Sequence, residues 1–158
     1  RDDVESRGLG DVYKRQLLNI IMGRSSKLYK ELYNEGLIYS GASLDYEFSK
    51  TYAHILIAGQ STDPEKLYEK FKIRVKELIE KGIDEDDFER NKKMIYGGYV
   101  REYNDVTDIA RIFLADYFKG INSFDYIEEI NSINVEYLNQ VLKDVFKEDK
   151  MVLSIVKS

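Results

Sequence analysis

Residues 37–59 read LIYSGASLDYEFSKTYAHILIAG and contain the two segments that decide the fold. The first segment, residues 37–48, alternates apolar and polar side chains in its second half, which is the period of a half-buried strand. The second segment, residues 51–59, is rich in β-branched and apolar residues and predicts another strand. Ser49 and Lys50 lie between them and suit a tight turn, so the two strands are predicted to form an antiparallel hairpin.

Helical patterns precede this hairpin. An apolar face begins at Leu17 and is interrupted at Gly23. A second helix is predicted to begin after Ser25 or Ser26, whose side chains can cap it, and to end at Gly36.

Helical patterns also follow the hairpin. Thr62 and Glu65 have the spacing of a capping box, with Pro64 in the first turn, and this helix is predicted to end at Gly82. Asp84 is predicted to cap the next helix.

That next helix contains Gly97 and Gly98, each of which costs roughly 1 kcal/mol relative to Ala in a helix interior. We expect close contact with a neighbouring element to offset this cost. The remaining segments are predicted as helices over 106–118, 123–131 and 135–146 and as a final strand over 151–157.

This order predicts a two-layer α+β fold with a mainly antiparallel sheet covered by helices on one face. Three strands are few for so many helices, so we expect at least one strand before Leu17 to be missing. Residues 1–16 have little apolar periodicity and are predicted to be a flexible or foreign N-terminal arm. The domain is therefore assigned to residues 17–158.

Composition excludes several classes of function. The chain has 158 residues and a formal net charge of −5, without the basic stripe that nucleic acid requires. No apolar run approaches the ~20 residues that cross a bilayer, and no signal peptide is visible. There is no cysteine, which fits a reducing compartment. We therefore expect a cytoplasmic protein that binds neither nucleic acid nor membrane.

The sequence offers no catalytic constellation. His54 is the only histidine, so neither a zinc site with paired histidines nor a catalytic triad can be assembled. We expect His54 to be an ordinary strand residue that interacts with a neighbour. The acidic cluster at 84–89 lies in the first turn of a predicted helix, where carboxylates favour the helix dipole.

Residues 23–40, GRSSKLYKELYNEGLIYS, resemble the signature that opens the second domain of pitrilysin/insulinase-type (inverzincin) zinc metallopeptidases and the similar mitochondrial processing peptidases. Segments 63–67 (DPEKL), 82–93 (GIDEDDFERNKK) and 117–120 (YFKG) agree with that family in order and spacing. The resemblance covers residues 17–158. Within the family the chain is most similar to the zinc-carrying member of a bacterial two-protein set.

The resemblance implies a C-terminal, non-catalytic domain that forms one wall of a peptide-binding chamber. In the family, zinc and its general-base Glu lie on an inverted His-x-x-Glu-His helix of the N-terminal domain, and this chain has no such motif. The implied partners are the protein's own N-terminal catalytic domain, a peptide substrate and a related subunit in a homo- or hetero-dimer. No cofactor is expected in this chain, and zinc is expected in the missing N-terminal domain.

The resemblance also implies two substrate-binding positions. The second domain of the family commonly presents an Arg and a Tyr to the substrate, and these positions fall on Tyr33 and Tyr39. The tyrosine is kept and the arginine is lost, and a phenol cannot replace the charge and bidentate geometry of a guanidinium. For Tyr39 the alternative is a strand residue packed at a sheet edge.

Three functions remain open from the sequence. The first is a peptidase component that forms one wall of the peptide-binding chamber and binds an extended peptide. The second is an inactive family member that acts as a structural or assembly subunit, which the missing arginine favours. The third is an unrelated partner-binding α+β domain.

Overall fold

The computed structural model describes residues 2–48, 52–120, 122–123 and 125–156. None of the helices in these ranges is long and apolar enough to cross a membrane. The elements in chain order are α1 (Asp2–Met22), α2 (Lys27–Asn34), β1 (Ser43–Phe48), β2 (Ala53–Ala58), α3 (Pro64–Lys81), α4 (Glu85–Glu102), α5 (Val106–Lys119), α6 (Tyr126–Ser132), α7 (Val135–Val145) and a short 3₁₀ turn (Glu148–Lys150).

The sheet consists of the antiparallel pair β1 and β2, with Ser43 opposite Ala58 and Phe48 opposite Ala53. One face of the pair is apolar and lies against the helical core, and the other face carries the polar side chains of β1. The predicted α+β class, with helices on one face of an antiparallel sheet, is confirmed. The inward-facing side chains are Leu44, Tyr46, Ile55 and Ile57. The predicted turn at Ser49 and Lys50 lies outside the described residues.

Two strand predictions need correction. The first strand begins at Ser43 rather than at residue 37, because Leu37 and Ile38 are buried in the core as the chain leaves α2. The predicted final strand is wrong over 151–156, which form no ladder because no described strand lies beside them.

Helix α1 is the centre of the core. It packs against β1, α2, α3, α4, α6 and α7. Leucines of α1, α2 and α7 interlock there with almost no exposed surface, which is the dense packing that stabilises a domain interior. The fully buried aliphatic side chains include Leu17, Leu18, Ile21, Leu28, Leu32, Ile130, Leu138 and Leu142.

The N-terminal stretch differs from the expected flexible arm. Residues from Asp2 onward are helical, and Val12, Tyr13 and Gln16 are buried. The helix therefore runs across the predicted boundary at residue 17. The alternative, that residues 1–16 are foreign to the domain, stays a prediction, as does the boundary itself.

The caps of α2, α3 and α4 are close to the predictions. Ser26 caps α2 by accepting a hydrogen bond from the Tyr29 amide, and Asp84 caps α4. For α3 the predicted Thr62 cap is wrong, and Asp63 accepts from the Lys66 amide instead. Helix α3 begins at Pro64, so Asp63 and not Thr62 is in the N-cap position, and the Thr62 hydroxyl donates instead to the Gly36 carbonyl at 3.0 Å.

The glycine pair in α4 contradicts another expectation. A Cβ added at Gly97 or at Gly98 would meet nothing within 4 Å, so neither glycine allows a close approach of another element. The cost of these residues in a helix is therefore not offset by packing in the described part of the chain.

The three C-terminal helices are confirmed with shifted ends. Helix α5 ends at Lys119, one residue later than predicted, in a left-handed Gly120 cap. Helix α6 begins at Tyr126, three residues later than predicted, and α7 ends at Val145.

Candidate functional site

The signature segment of residues 23–40 folds into α2 and a rigid turn that follows it. Gly36 adopts a positive φ of 68°, which a glycine reaches without steric cost. Its amide donates to the Tyr33 carbonyl, and the Leu37 amide donates back to the Leu32 carbonyl at 2.9 Å. This hydrogen-bond pair is the Schellman motif, and it fixes the direction in which the chain leaves α2.

The chain is anchored again immediately after this turn. Leu37 and Ile38 are both buried in the core. The Leu37 carbonyl also accepts a hydrogen bond from the Thr62 amide, at 3.2 Å. The Schellman turn, the burial of Leu37 and Ile38 and the hydrogen bond from Thr62 therefore fix the backbone of residues 36–38. The backbone position of the next residue is fixed as a consequence.

Tyr39 is that next side chain. It is 74% exposed and lies in the irregular segment between α2 and β1. The alternative reading of Tyr39 as a packed strand residue is wrong, because the residue is neither in a strand nor packed. A phenol held in solvent by a rigid backbone can donate a hydrogen bond to a bound partner at little cost in chain entropy.

Tyr33, the second candidate, lies on the exposed face of α2. Its ring stacks on Tyr29 one turn earlier, with centroids 6.3 Å apart and planes 14° from parallel. The rings of Tyr33 and Tyr39 do not contact each other in the described part of the chain. The structure thus exposes both candidates on consecutive segments without joining them into a single cluster.

Arg24 is a residue that sequence reasoning missed. Its guanidinium lies against Gly41, so close that a Cβ on that glycine would stand 2.9 Å from the Arg24 Nε. Gly41 is two residues from Tyr39, and Arg24 therefore brings a positive charge to the exposed segment. No local sequence pattern indicates this contact, because it depends on how the chain turns after α2.

An ion-pair cluster fastens α2 to α3 beside this segment. Lys70 contacts Glu31 and Glu35 at 2.7 Å each, and Lys66 contacts Glu35 at 3.3 Å. The hydrogen bond from Lys70 holds the pKa of the Glu35 carboxyl below its ordinary value. The hydrogen bonds to Glu31 and Glu35 raise the pKa of Lys70. Glu31 and Glu35 are exposed and Lys70 is partly buried, so solvent screens these ion pairs and their contribution to stability is small.

A groove of about 790 Å³ opens beside β2, and its lining includes Ile38 and Ser40, the residues on either side of Tyr39 in sequence. Strand β2 forms one wall and residues 151–156 form the opposite wall. The floor is apolar and belongs to the core; it includes Met22, Ile38 and Phe71.

The described residues contain no group of three or more His, Asp or Glu side chains able to hold a metal ion. His54 is exposed on β2 and lies 3.6 Å from the cross-strand carboxylate of Glu47. A lone exposed imidazole beside one carboxylate is an ordinary cross-strand pair.

Residues 3–95 match the family model described as the peptidase M16 inactive domain. The chain belongs to this family.

Two relatives agree with that assignment. The first is named uncharacterized zinc protease YmfH, from Bacillus subtilis (strain 168), and is 26% identical over 140 residues, or 87% of this chain and 32% of the relative. The second is a crystal structure described as an M16-like peptidase from Alicyclobacillus acidocaldarius. It has a TM-score of 0.82 and 26% identity over 87% of this chain and 33% of that chain. The chain therefore spans about a third of the length of each relative.

Proposed function

We propose that this chain is the C-terminal, non-catalytic domain of a zinc-dependent endopeptidase and forms one wall of its peptide-binding chamber. Zinc and the general base belong to an N-terminal domain of the same protein, since this sequence lacks the inverted motif and has one histidine. A relative named as a zinc protease supports this assignment of zinc to another domain of the protein. The proposal places the protein in the cytoplasm, as a homo- or hetero-dimer with a related subunit.

The exposure of Tyr39 is the observation that carries the proposal. Its side chain is 74% exposed and follows directly on two buried residues and a Schellman turn, so the phenol is presented to solvent from a fixed backbone. We assign to its hydroxyl a hydrogen bond with the peptide main chain. Such a bond contributes about 0.5–1.5 kcal/mol, or roughly a 2- to 12-fold change in rate if it forms in the transition state.

Arg24 supplies the positive charge in this proposal. Tyr33 stands where the family resemblance places an arginine, and a guanidinium against Gly41 offers a substitute cation near Tyr39. Neutralising Arg24 with Met is therefore expected to lower kcat/KM for peptide hydrolysis by the whole protein. Arg111→Met is the matched control, because Arg111 is an exposed arginine on α5 that pairs with Asp108.

The test of the proposal is peptide hydrolysis by the whole protein with Tyr39→Phe. We expect kcat/KM to fall several-fold, because the hydroxyl is lost and the ring is kept. Tyr52→Phe is the matched control, since Tyr52 is also exposed, at 56%, and lies outside the signature segment. Equal activity of the two variants would contradict the role of Tyr39.

The second candidate function is an inactive family member that acts as a structural or assembly subunit. The observation that favours it is the tyrosine at position 33, which provides neither the charge nor the fork of an arginine. Under this alternative the whole protein binds its related subunit and hydrolyses no peptide. A zinc-loaded whole protein with no activity on a library of unstructured peptides supports the alternative.

A further inference from the structure

We propose that the exposed apolar face of α5 is the surface on which two copies of this protein associate, with their α5 helices packed antiparallel about a two-fold axis. The inference rests on the proposed function only in taking its homodimer form, for which it names the surface and the register. It needs no catalytic activity.

Helix α5 turns a carboxylate inward and its large apolar side chains outward. Among its described side chains only Asp116 is buried, and it accepts a hydrogen bond from the Ser123 Oγ at 2.8 Å. This contact fixes which side of the helix faces the rest of the domain. The large apolar side chains that remain exposed are Val106 (82%), Phe113 (45%), Leu114 (54%), Tyr117 (66%) and Phe118 (79%).

The exposed rings form one continuous surface. Phe113 stacks on Tyr117, with centroids 6.3 Å apart and planes 21° from parallel, and Tyr117 meets Phe118 edge-on at a centroid distance of 5.9 Å. In the described part of the chain no other element packs extensively on α5. Because a contiguous exposed apolar surface on a folded protein marks a site of interaction, this face of α5 is a candidate interface.

The spacing along this face predicts that the partner is a helix. The apolar residues on it follow one another at intervals of four, three and four positions: Val106, Ala110, Phe113 and Tyr117. These intervals are those of the a and d positions of a heptad, which form the seam between two helices packed side by side. We call this set the α5 stripe. Asp108 and Arg111, which pair with each other at 3.2 Å, fall at heptad positions outside the seam.

The α5 stripe is complementary to itself when two copies run antiparallel. Its intervals read the same in both directions, so Val106 of one copy meets Tyr117 of the other, and Ala110 meets Phe113. Each contact joins a large ring to a small aliphatic side chain, which is the alternation that lets facing layers interdigitate. Two-fold symmetry repeats each contact in the reciprocal sense. A parallel pairing would instead set ring against ring and alanine against alanine, which overfills one layer and leaves space in another.

A helix from another domain of the same polypeptide is the main alternative occupant. Such a helix would account for an apolar stripe, but it gives no reason for intervals that are symmetric or for large residues matched with small ones. Helix α5 has 14 residues and is therefore about 21 Å long. A seam of this length is smaller than a standard interface, so we expect a reversible dimer.

Disulfide trapping in the whole protein tests the antiparallel register. Val106→Cys and Tyr117→Cys are prepared separately, mixed and oxidised, and the linked peptides are identified by mass spectrometry. We expect the mixture to form a disulfide between positions 106 and 117. Each variant alone is the matched control, because equal positions lie about 16 Å apart along antiparallel helices, beyond the ~7 Å between Cα atoms that a disulfide spans. No disulfide in the mixture, or links between equal positions, would overturn the proposal.

Sedimentation velocity of the whole protein measures the association itself. Phe113→Glu places a charge in the seam, and we expect it to raise the dimer dissociation constant at least roughly tenfold. Ile73→Glu is the matched control, because Ile73 is similarly exposed, at 58%, but lies on α3. An unchanged dissociation constant in Phe113→Glu would show that the copies meet elsewhere. A protein that stays monomeric at every concentration, with slowly exchanging α5 amides, would show that another domain covers the stripe. Either result would overturn the inference.

Failure of this inference is distinguishable from failure of the proposed function. A monomeric protein that hydrolyses peptides contradicts the α5 dimer alone. A protein that gives the 106–117 disulfide but has no activity contradicts the peptidase role alone.

Discussion

The helical core and the groove beside β2 contain the same kinds of aliphatic residue, but these residues are buried in the core and exposed at the groove. Leu138 on α7 is 0% exposed, whereas Leu56 on β2 is 51% exposed and Val152 is more exposed still. In the core, aliphatic side chains from α1, α2 and α7 fill one another's gaps. At the groove, similar side chains line an open wall. The difference indicates that aliphatic side chains are fully covered where α1, α2 and α7 meet, whereas the described residues leave the groove wall beside β2 partly uncovered.

Leucine-to-alanine substitutions should separate the two regions most strongly. Leu138→Ala removes a fully buried side chain and is expected to lower the free energy of unfolding by about 2–5 kcal/mol. Leu56→Ala removes a half-exposed one and is expected to cost less than about 1 kcal/mol. Chemical denaturation of the 158-residue chain measures both values, and equal losses would show that the groove wall is packed like the core.

The next largest effect is expected at Gln16, a polar residue inside the core. Its Nε2 donates to the Phe88 carbonyl at 3.1 Å, but its buried Oε1 has no hydrogen-bond partner among the residues that the structure describes. Gln16→Leu is therefore expected to stabilise the chain by about 1 kcal/mol, because an unsatisfied amide is replaced by an apolar side chain of similar size. A lowered midpoint in thermal denaturation would show that the amide is better satisfied than its contacts indicate.

Alanine substitutions at two helix glycines test whether the local backbone conformation determines their effect on stability. Gly97→Ala meets open space in α4 and is expected to stabilise by roughly 0.5–1 kcal/mol. Gly82→Ala is the opposite control, because Gly82 ends α3 at a φ of 83°, where a Cβ is strained. Urea midpoints that move in the same direction for both variants would contradict this account.

The smallest effects are expected at the surface ion pairs and follow pH. The pKa of Glu35 is lowered, so its contribution to stability is present above its unfolded pKa and is lost as the pH falls through the folded value. The pKa of Lys70 is raised, so its contribution is present below its unfolded pKa and is lost as the pH rises through the folded value. Both contributions are therefore present between the carboxyl range and the lysine range.

Lys70→Met tests this window. The variant should lose a small amount of stability at neutral pH and low salt, and the loss should shrink at high salt because the pairs are exposed. Thermal denaturation at two salt concentrations measures the difference. A loss that does not depend on salt would indicate that packing of the Lys70 stem, rather than charge, holds α2 to α3.

The helices and caps were predictable because their signals are local. Ser26 and Asp84 are caps whose hydrogen bonds close within three residues. The predicted Thr62 cap is wrong because the helix begins one residue later than expected, which gives the N-cap position to Asp63. The strand expected at 151–157 failed over its described residues, because strand pairing depends on a neighbour that no local pattern reveals.

The candidate site was predictable only in part. The resemblance selected Tyr33 and Tyr39, and the exposure of both side chains is compatible with binding, although their role stays a prediction. Arg24 escaped notice because its approach to Gly41 depends on how the chain turns after α2. The groove escaped notice because its two walls are about one hundred residues apart in sequence.

Reconstitution of peptide hydrolysis tests the central claim most directly. The proposed zinc-binding N-terminal domain and this 158-residue chain are prepared separately, and cleavage of an unstructured peptide is followed for each and for their mixture. We predict that this chain alone is inactive and that its addition raises the activity of the zinc domain in a saturable manner. Zinc-domain activity that does not change on addition, or hydrolysis by this chain alone, would contradict the account.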